Sequence, residues 1–387
     1  MIEFWKFAWK NLRRNPRRNF ATVLSIAFGV VGLLMFNGYV NRVDNFLRVY
    51  TIYALRTGHI AIYKKEGFEK FSYQPQKYSY DAVEQSKIDI LLSEYENKIE
   101  FFNKRIAGSG LAGNGCQSFP FAASSVDILT DKKIIEHREM LQWAPELSRF
   151  IQGRGLWEYS PEMNPLALSK GLARLLNKPM VYDDFSQEDS LIKVLDCTSK
   201  KAKNVIQSDS NIQLLSGTWQ GSLSALDGEV VAHFSTGFSD TDQGGLLAPL
   251  PYLQNLFDTD HISSYAIWIK DTTYLDKLIL QLKTRFEAEG ISADVYSWHD
   301  ESLSPTYNGA LKFLYVMVGF IGVVLSIIIS LSILNASTMT VTERSSEIGM
   351  MKALGFTEKR ICLLFIQESL ILGGLGLLGG LFIGSIS

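Results

Sequence analysis

The stretch Leu311–Leu334 reads LKFLYVMVGFIGVVLSIIISLSIL and contains a single charged side chain, that of Lys312. A helix needs about 20 apolar residues to cross roughly 30 Å of hydrocarbon. A core helix of a soluble protein is shorter and carries polar residues on one face. This stretch therefore predicts a membrane-spanning helix, and the rest of the chain must be organised around it.

Two further apolar blocks lie near the two ends of the sequence, at Phe20–Val40 and Ile361–Ile386. Basic residues precede the first block, so a cleaved signal peptide is an alternative interpretation. No small-residue cleavage site closes that block, however, because Phe36 and Tyr39 are followed by Asn41 and Arg42. The sequence therefore predicts transmembrane helices at residues 20–41, 310–335 and 361–387.

The cations set the expected orientation, because Lys and Arg in short flanks stay on the cytoplasmic side. Before the first predicted helix, Glu3 is the one acidic residue. The basic residues there are Lys6, Lys10, Arg13, Arg14, Arg17 and Arg18. We expect a multi-pass protein of the bacterial inner (cytoplasmic) membrane with a cytoplasmic N-terminus. Residues 42–309 then form a periplasmic domain, and residues 336–360 form a cytoplasmic segment.

Residues 1–19 are expected to form a basic amphipathic helix on the cytoplasmic surface of the membrane. Trp5, Trp9 and Leu12 recur at helical spacing, with basic residues on the other faces. A disordered basic leader is the alternative. Both interpretations place this segment next to the lipid bilayer.

The segment between the first two membrane helices has the pattern of a mixed α/β domain. Strands are predicted at Thr57–Tyr63, Ser264–Lys270 and Ala293–Trp298, and a charged amphipathic helix at Tyr80–Phe102. A helical face between the last two strands consists of Leu275, Leu278, Leu282 and Phe286, with Gly290 as the stop signal. The expected fold is a multi-pass α-helical membrane protein with a large mixed α/β extracytoplasmic domain between its first and second transmembrane helices.

Several classes of chemistry find no support in the sequence. The net charge of −2 gives no reason to expect nucleic-acid binding. The phosphate-binding loop, the paired-histidine zinc motif and the serine-nucleophile turn are all missing. Gly108, Gly110 and Gly113 match G-x-G-x-x-G, but the residues that follow do not favour a helix, as a dinucleotide site requires. We expect a non-catalytic chain with no cofactor or metal of its own.

The third apolar block contains glycines and polar residues that need a reason. Gly376, Gly380 and Gly384 recur every four residues, which allows a neighbouring helix to approach closely, although glycine is also tolerated elsewhere in membrane helices. Gln367 and Glu368 are polar residues inside an apolar span, and such a charge is by default a functional candidate. Helix packing, an interfacial position and substrate handling remain open for Glu368.

Two of the three cysteines, Cys116 and Cys197, fall in the predicted outer domain. Disulfides persist in oxidising compartments such as the periplasm. The pair therefore has the location that a disulfide needs, although two unpaired thiols are the alternative.

The connection between the second and third spans reads TERSSEIGMMKALGF at residues 342–356. Ile348, Met351 and Leu354 are predicted to form an apolar ridge on a short helix that ends at Gly355. Four charged residues are placed to orient that ridge against a partner: Glu343, Arg344, Glu347 and Lys352. A solvated loop is the alternative.

This segment, E-R-x-x-E-I-G followed by a basic residue and A-L-G, resembles the coupling region of the MacB, LolC, LolE and FtsX class of ABC transporter permeases, the type VII or mechanotransmitter group. Weaker similarities in the same order lie at 10–15, 57–60, 169–173 and 234–237, and they look nearest to the lipoprotein-release branch. The resemblance implies that a short cytoplasmic helix docks on a separate ABC ATPase subunit. Its coupling residues would be Glu343, Arg344, Glu347, Ile348, Gly349, Met351, Lys352, Ala353, Leu354 and Gly355.

The resemblance further implies a permease subunit that transmits ATPase motion to its periplasmic domain, with ATP and Mg bound by the ATPase. A second permease copy or a paralogue would complete a homo- or heterodimer, and a lipoprotein or a periplasmic adaptor would be a further partner. Export of a peptide, toxin or drug is an alternative, as is a division-type regulator that activates a cell-wall hydrolase. The family's usual fourth membrane helix is missing from this sequence, which favours a truncated chain; an unusual subunit is the alternative.

Overall fold

The computed structural model describes residues 16–178, 197, 206 and 209–385. They divide into two units, each described separately below. The helical unit comprises the described residues of 1–44 and 308–387, and the α/β unit comprises those of 45–307. Most of the predicted surface helix at 1–19, including Trp5, Trp9 and Leu12, lies outside the described residues.

The elements follow in chain order. The α-helices are α1 (Pro16–Val49), α2 (Gly67–Lys70), α3 (Ala82–Ser93), α4 (Ile128–Ile135), α5 (Arg138–Trp143), α6 (Lys170–Leu175), α7 (Leu250–Phe257), α8 (Leu275–Ala288), α9 (Pro305–Glu343), α10 (Ser345–Ala353) and α11 (Glu358–Gly384). A π-helical turn lies at Tyr50–Ala54, and 3-10 turns lie at Leu156–Glu158, Pro161–Met163, Thr241–Gln243 and Thr272–Tyr274. The strands are β1 (Ile60–Lys64), β2 (Ile99–Arg105), β3 (Ala107–Gly113), β4 (Ser118–Val126), β5 (Gln152–Gly153), β6 (Pro165–Ser169), β7 (Asn211–Gly217), β8 (Leu223–Phe234), β9 (Gly245–Pro249), β10 (Ser264–Ile269) and β11 (Ala293–Ser297).

The helices α1, α9 and α11 contain the three apolar blocks of the sequence. In the described residues, these three are long and apolar enough to cross a membrane. Each begins before its block; α9, for instance, starts at Pro305, a residue that the first turn of a helix tolerates well. A helix satisfies every backbone polar group internally, as hydrocarbon requires. The predicted spans are therefore helices, while the number of passes and their orientation stay predictions.

The smaller sheet of the α/β unit has the strand order β11-β1-β10-β2, and all neighbouring strands are antiparallel. The predicted apolar face of α8 is buried at all four positions, Leu275, Leu278, Leu282 and Phe286. Gly290 follows that helix with a φ of 67°, which suits the predicted stop. The predicted β-α-β unit is thus confirmed as β10, α8 and β11, with β1 between the two parallel strands.

The larger sheet has the order β5-β8-β6-β9-β4-β3-β7. Since β7 also pairs with β8, the sheet closes on itself. Gly108 and Gly110 lie within β3, which pairs antiparallel with β4. A Cβ atom at Gly108 would lie 2.2 Å from the ring of Phe257 in α7, so the glycine makes room for that side chain. The G-x-G-x-x-G match is therefore part of a packed strand, as its context in the sequence indicated.

The predicted helix at Tyr80–Phe102 is wrong in its second half. The helix α3 starts at a capping box formed by Asp81 and Glu84, and it ends at Ser93. The strand β2 begins at Ile99, and Phe101 pairs with Trp268 of β10 with stacked rings. The apolar residues of β2 gain a sheet partner far away in the sequence, and this outweighs the local helical pattern. Similarly, β1 begins at Ile60 rather than at Thr57.

A disulfide joins Cys116, in the turn after β3, to Cys197. The two residues are 81 positions apart in the sequence. A bond that closes so long a loop restricts the unfolded chain strongly, and it stabilises the fold correspondingly. The third cysteine, Cys362 of α11, is free and exposed.

We predict that the α/β unit loses stability as the pH falls below neutral, because His59 is buried without charge. Burial, with a smaller effect of His137 and Arg48, lowers the pKa of His59 to about 4. The unfolded chain binds this proton near pH 6.5, so the stabilisation is complete above that pH and is lost as the pH falls through about 4. The full effect is roughly 3 kcal/mol.

Thermal unfolding of the full chain between about pH 7 and pH 5, around the ordinary histidine pKa, measures this loss. His59→Gln keeps a polar side chain that does not titrate, and we expect it to have a flatter pH dependence. An equal pH dependence in both proteins would show that His59 is not the responsible group.

Candidate functional site

The connection between α9 and α11 is a short helix, α10, with a defined start and stop. Arg344, with φ −108° and ψ 20°, separates α9 from α10. After Ala353, the N–H of Phe356 donates to the carbonyl oxygen of Met351, and Gly355 has a φ of 87°. This left-handed glycine is the usual helix stop, as predicted for Gly355. The segment is therefore a helix rather than a solvated loop.

The exposed apolar surface of α10 differs from the predicted ridge. Leu354 is 73% exposed, but Ile348 and Met351 are half-buried. Met350, which the prediction omitted, is 60% exposed. Met350 and Leu354 are four residues apart and so lie on one side of the helix turn. That spacing was visible in the sequence and would have identified the exposed pair.

Two residues that the sequence assigned to different roles are in contact. Arg344 Nη1 donates to Glu368 Oε1 of α11 at 3.1 Å, and the two side chains are only 12% and 10% exposed. A carboxylate in an apolar helix is costly unless it is paired and hydrogen-bonded. Arg344 is thus the ion-pair partner of Glu368, while its predicted role as a docking contact stays a prediction. The pair links the junction of α9 and α10 to α11.

Lys352, another of the predicted coupling residues, forms an ion pair within the chain. Lys352 Nζ lies 2.8 Å from Glu358 Oε1 at the start of α11. Both side chains are mostly exposed, so this pair adds little to stability.

Gln367, beside Glu368, is buried, and its Oε1 has no hydrogen-bond partner in the part of the chain that the structure describes.

The remaining predicted coupling residues are accessible to a partner in varying degree. Glu343 and Ala353 are exposed, and Glu347 is half-buried. Gly349 is exposed, and a Cβ atom built there would meet nothing within 4 Å. The chain's own packing therefore gives no reason for a glycine at this position. Gly349, Met350 and Leu354 form what we name the docking patch.

The glycines of α11 lie against α1. A Cβ atom at Gly376, Gly380 or Gly384 would lie 2.6 Å from a side-chain carbon of Ile26, Val30 or Leu34, respectively. Such distances are too short for any real Cβ, so glycine is what lets the two helices touch here. In a membrane, where apolar burial does not drive association, close packing of small residues takes its place. We name this contact the glycine seam.

One comparison with known proteins falls on the helical unit. A family model described as FtsX-like permease C-terminal matches residues 319–387, a range that contains α10, α11 and most of α9. An uncharacterized ABC transporter permease of Methanocaldococcus jannaschii is 31% identical over 126 residues, which are 32% of this chain and 29% of that protein. A macrolide export ATP-binding/permease protein, MacB, of Bdellovibrio bacteriovorus is 23% identical over 158 residues, which are 39% of this chain and 24% of that protein.

A solved structure, the periplasmic region of MacB from Actinobacillus actinomycetemcomitans, aligns with 64% of this chain and 92% of its own length. Its sequence identity is 14% and its TM-score is 0.36. The alignments with the two sequence relatives cover less than a third of either relative's length.

We predict that Gly380→Ala separates α1 from α11. The added methyl group would lie 2.6 Å from Val30 Cβ and 2.9 Å from the carbonyl oxygen of Ala27. Overpacking of this kind costs about 1–3 kcal/mol. Thermal unfolding of the purified chain in detergent measures the effect. Gly374→Ala is the matched control, because its Cβ meets nothing within 4 Å; equal destabilisation by both changes would rule out the seam.

The Arg344–Glu368 pair predicts strong coupling between two substitutions. Glu368→Ala or Arg344→Ala alone leaves a buried charge without its partner, at a cost of roughly 3–5 kcal/mol. The double variant removes both charges, and we expect it to lose much less than the sum of the single variants. A double-mutant cycle by thermal unfolding measures the difference. Purely additive losses would mean that the two side chains do not stabilise one another.

Proposed function

Since residues 319–387 form an FtsX-like permease domain, homologous to MacB and to other ABC transporter permeases, we propose that this chain is the membrane permease subunit of an ATP-driven ABC export complex. The observation that carries the proposal is the docking patch. It is an exposed, partly apolar surface on a short helix whose base is fixed by a buried ion pair. Such a surface suits insertion into a groove on another protein.

The docking patch is proposed to bind a separate ATPase subunit, which would hold ATP and Mg. Gly349 allows a partner backbone to approach closely, while Met350 and Leu354 supply apolar anchors on one side of it. Exposed apolar anchors of this kind carry most of the binding energy of an interface. Glu343 and Glu347 would then set the orientation of docking through their charge.

Force applied to α10 would be passed to two helices together. Arg344 follows directly after α9, and Glu368 belongs to α11, so their ion pair links both to the start of α10. The glycine seam would carry the movement on to α1. In this proposal the subunit works as a mechanical transmitter, paired with a second copy or a paralogue across the complex.

The proposed orientation puts the N-terminus and α10 in the cytoplasm and the α/β unit outside the inner membrane. The basic residues before the first span support the first assignment. The Cys116–Cys197 disulfide supports the second, because such bonds persist in oxidising compartments.

We propose that the cargo is a lipoprotein. The support is that residues 57–63 and 234–237 resemble the lipoprotein-release branch of the family. A second candidate, expulsion of a small molecule, is favoured by the similarity to MacB, whose name describes macrolide export. A lipoprotein that co-purifies with the assembled complex supports the first candidate, and a periplasmic adaptor supports the second.

We predict that Gly349→Leu abolishes ATPase binding without disturbing the permease. The new side chain projects into open space, so the chain's own fold should keep its stability. Any loss of ATPase binding must therefore come from a clash between the new side chain and a partner that occupies the space beside Gly349. Co-purification of the tagged chain from its native membrane, followed by identification of bound ATPase, measures the effect. We expect retention to fall by roughly tenfold or more, as for a central interface residue.

Leu354→Asp tests the apolar anchor in the same assay and should give a similar loss. Leu129→Asp is the matched control, because Leu129 is a leucine even more exposed than Leu354, at 85% against 73%, and lies in the α/β unit. If Gly349→Leu and Leu354→Asp retained as much ATPase as the Leu129→Asp control, the docking patch would be wrong. If the wild-type complex contained no ATPase, the permease proposal itself would fall.

A further inference from the structure

A cavity lies within the α/β unit. Its volume is 390 Å³, which is within the range that holds a drug-sized molecule. Most of the described lining residues are aromatic or aliphatic, among them Tyr50, Tyr53, Phe68, Phe150, Phe234 and Leu246. An apolar lining of this extent would suit the body of a hydrophobic ligand.

One cation of this cavity, Arg105, forms no ion pair with any residue that the structure describes. Arg105 ends β2 and lines the cavity, and its Nη2 donates to Ser124 Oγ at 2.9 Å. Its Nε is shielded from water and has no hydrogen-bond partner within the described ranges. Desolvation lowers the pKa of Arg105; Tyr63 partly opposes this shift, and the nearby charge of Arg56 adds to it. The guanidinium is half-buried, and its shielded Nε is the part that lacks a partner.

Arg105 differs from another arginine of the cavity lining, Arg56, which has a carboxylate partner. Arg56 is compensated, because its Nε and Nη2 donate to the two carboxylate oxygens of Asp131 at 2.5 and 3.2 Å. Arg149 lines the cavity as a third arginine. No Asp or Glu is found in the described part of the lining. The cavity is therefore electropositive as well as apolar, and a negative group inside it would be attracted.

We propose that this cavity binds an amphipathic organic anion, a single apolar chain or ring system that ends in a carboxylate or a phosphate. The acidic group would accept hydrogen bonds from Arg105, and Ser124 would hold the guanidinium in place. Charge-assisted hydrogen bonds from arginine to such groups are short and strong. The apolar body would lie against Tyr50, Tyr53 and Phe234. The site is independent of ATPase coupling and goes beyond the proposed function.

Equilibrium dialysis of radiolabelled octanoate against the full chain, held in nanodiscs of a zwitterionic lipid without ATPase or ATP, tests the proposal. Empty nanodiscs of the same lipid subtract partitioning into the bilayer. We expect saturable binding that Arg105→Met weakens by about tenfold or more, the value of one charge-assisted hydrogen bond. Arg285→Gln is the matched control, because that arginine is paired with Glu94 at the surface.

Arg105→Met removes a half-buried charge whose Nε has no hydrogen-bond partner among the described residues, so its unfolding temperature should not fall below that of the wild type. Arg105→Lys is a second variant that keeps the charge but loses the planar fork, and its binding should be intermediate. Unchanged octanoate binding in both variants would overturn the proposal.

The choice of ligand separates the two halves of the proposed chemistry. Octyl phosphate should bind as octanoate does, whereas octanol and inorganic phosphate should each bind much more weakly. Octanol binding as tightly as octanoate would show a merely apolar cavity. Inorganic phosphate binding as tightly as octyl phosphate would show a simple anion site. Either result would contradict an amphipathic ligand.

Discussion

The buried ion pair between Arg344 and Glu368 is the constraint that fixes α10 within the helical unit. Neither charge can occupy its position alone, because an unpaired charge in apolar surroundings is too costly. Since Arg344 stands where α9 gives way to α10 and Glu368 belongs to α11, the pair fixes the start of α10 against both long helices. The ion pair thereby holds the docking patch in one orientation. A partner that bound there would not have to order it first.

The glycine seam adds the second constraint. It keeps the backbones of α1 and α11 in direct contact at Gly376, Gly380 and Gly384. Tightly packed surfaces of this kind do not deform smoothly, so the two helices would move together or separate at the seam. Combined with the ion pair, the seam connects all three long helices of the unit. In the proposed mechanism, a load on α10 would therefore move helices as bodies instead of bending a loop.

Hydropathy and periodicity predicted the elements well but did not predict their partners. The three long helices, the β10-α8-β11 unit and the stop at Gly355 follow from patterns a few residues long. The strand β2 was assigned to a helix, because its pairing with Trp268 depends on a segment far away in the sequence. For the same reason Arg344 and Glu368 were both singled out in the sequence, but their contact with one another was not predicted. The sequence gives the cost of Glu368 in an apolar helix, yet only the fold identifies which cation compensates it.

The same reasoning about charge distinguishes the two units. In the helical unit the buried arginine has its carboxylate, and in the α/β unit Arg56 has Asp131. Arg105 lines the same cavity as Arg56, yet no described carboxylate pairs with it. Arg344 and Arg56 each have a carboxylate partner, so a carboxylate beside Arg105 would also be compatible with the fold. A methionine at position 105 would avoid placing an unpaired charge there altogether. Departures from good packing and pairing concentrate at functional sites. The uncompensated guanidinium is therefore better explained by a ligand that supplies the missing negative charge than by a contribution to stability.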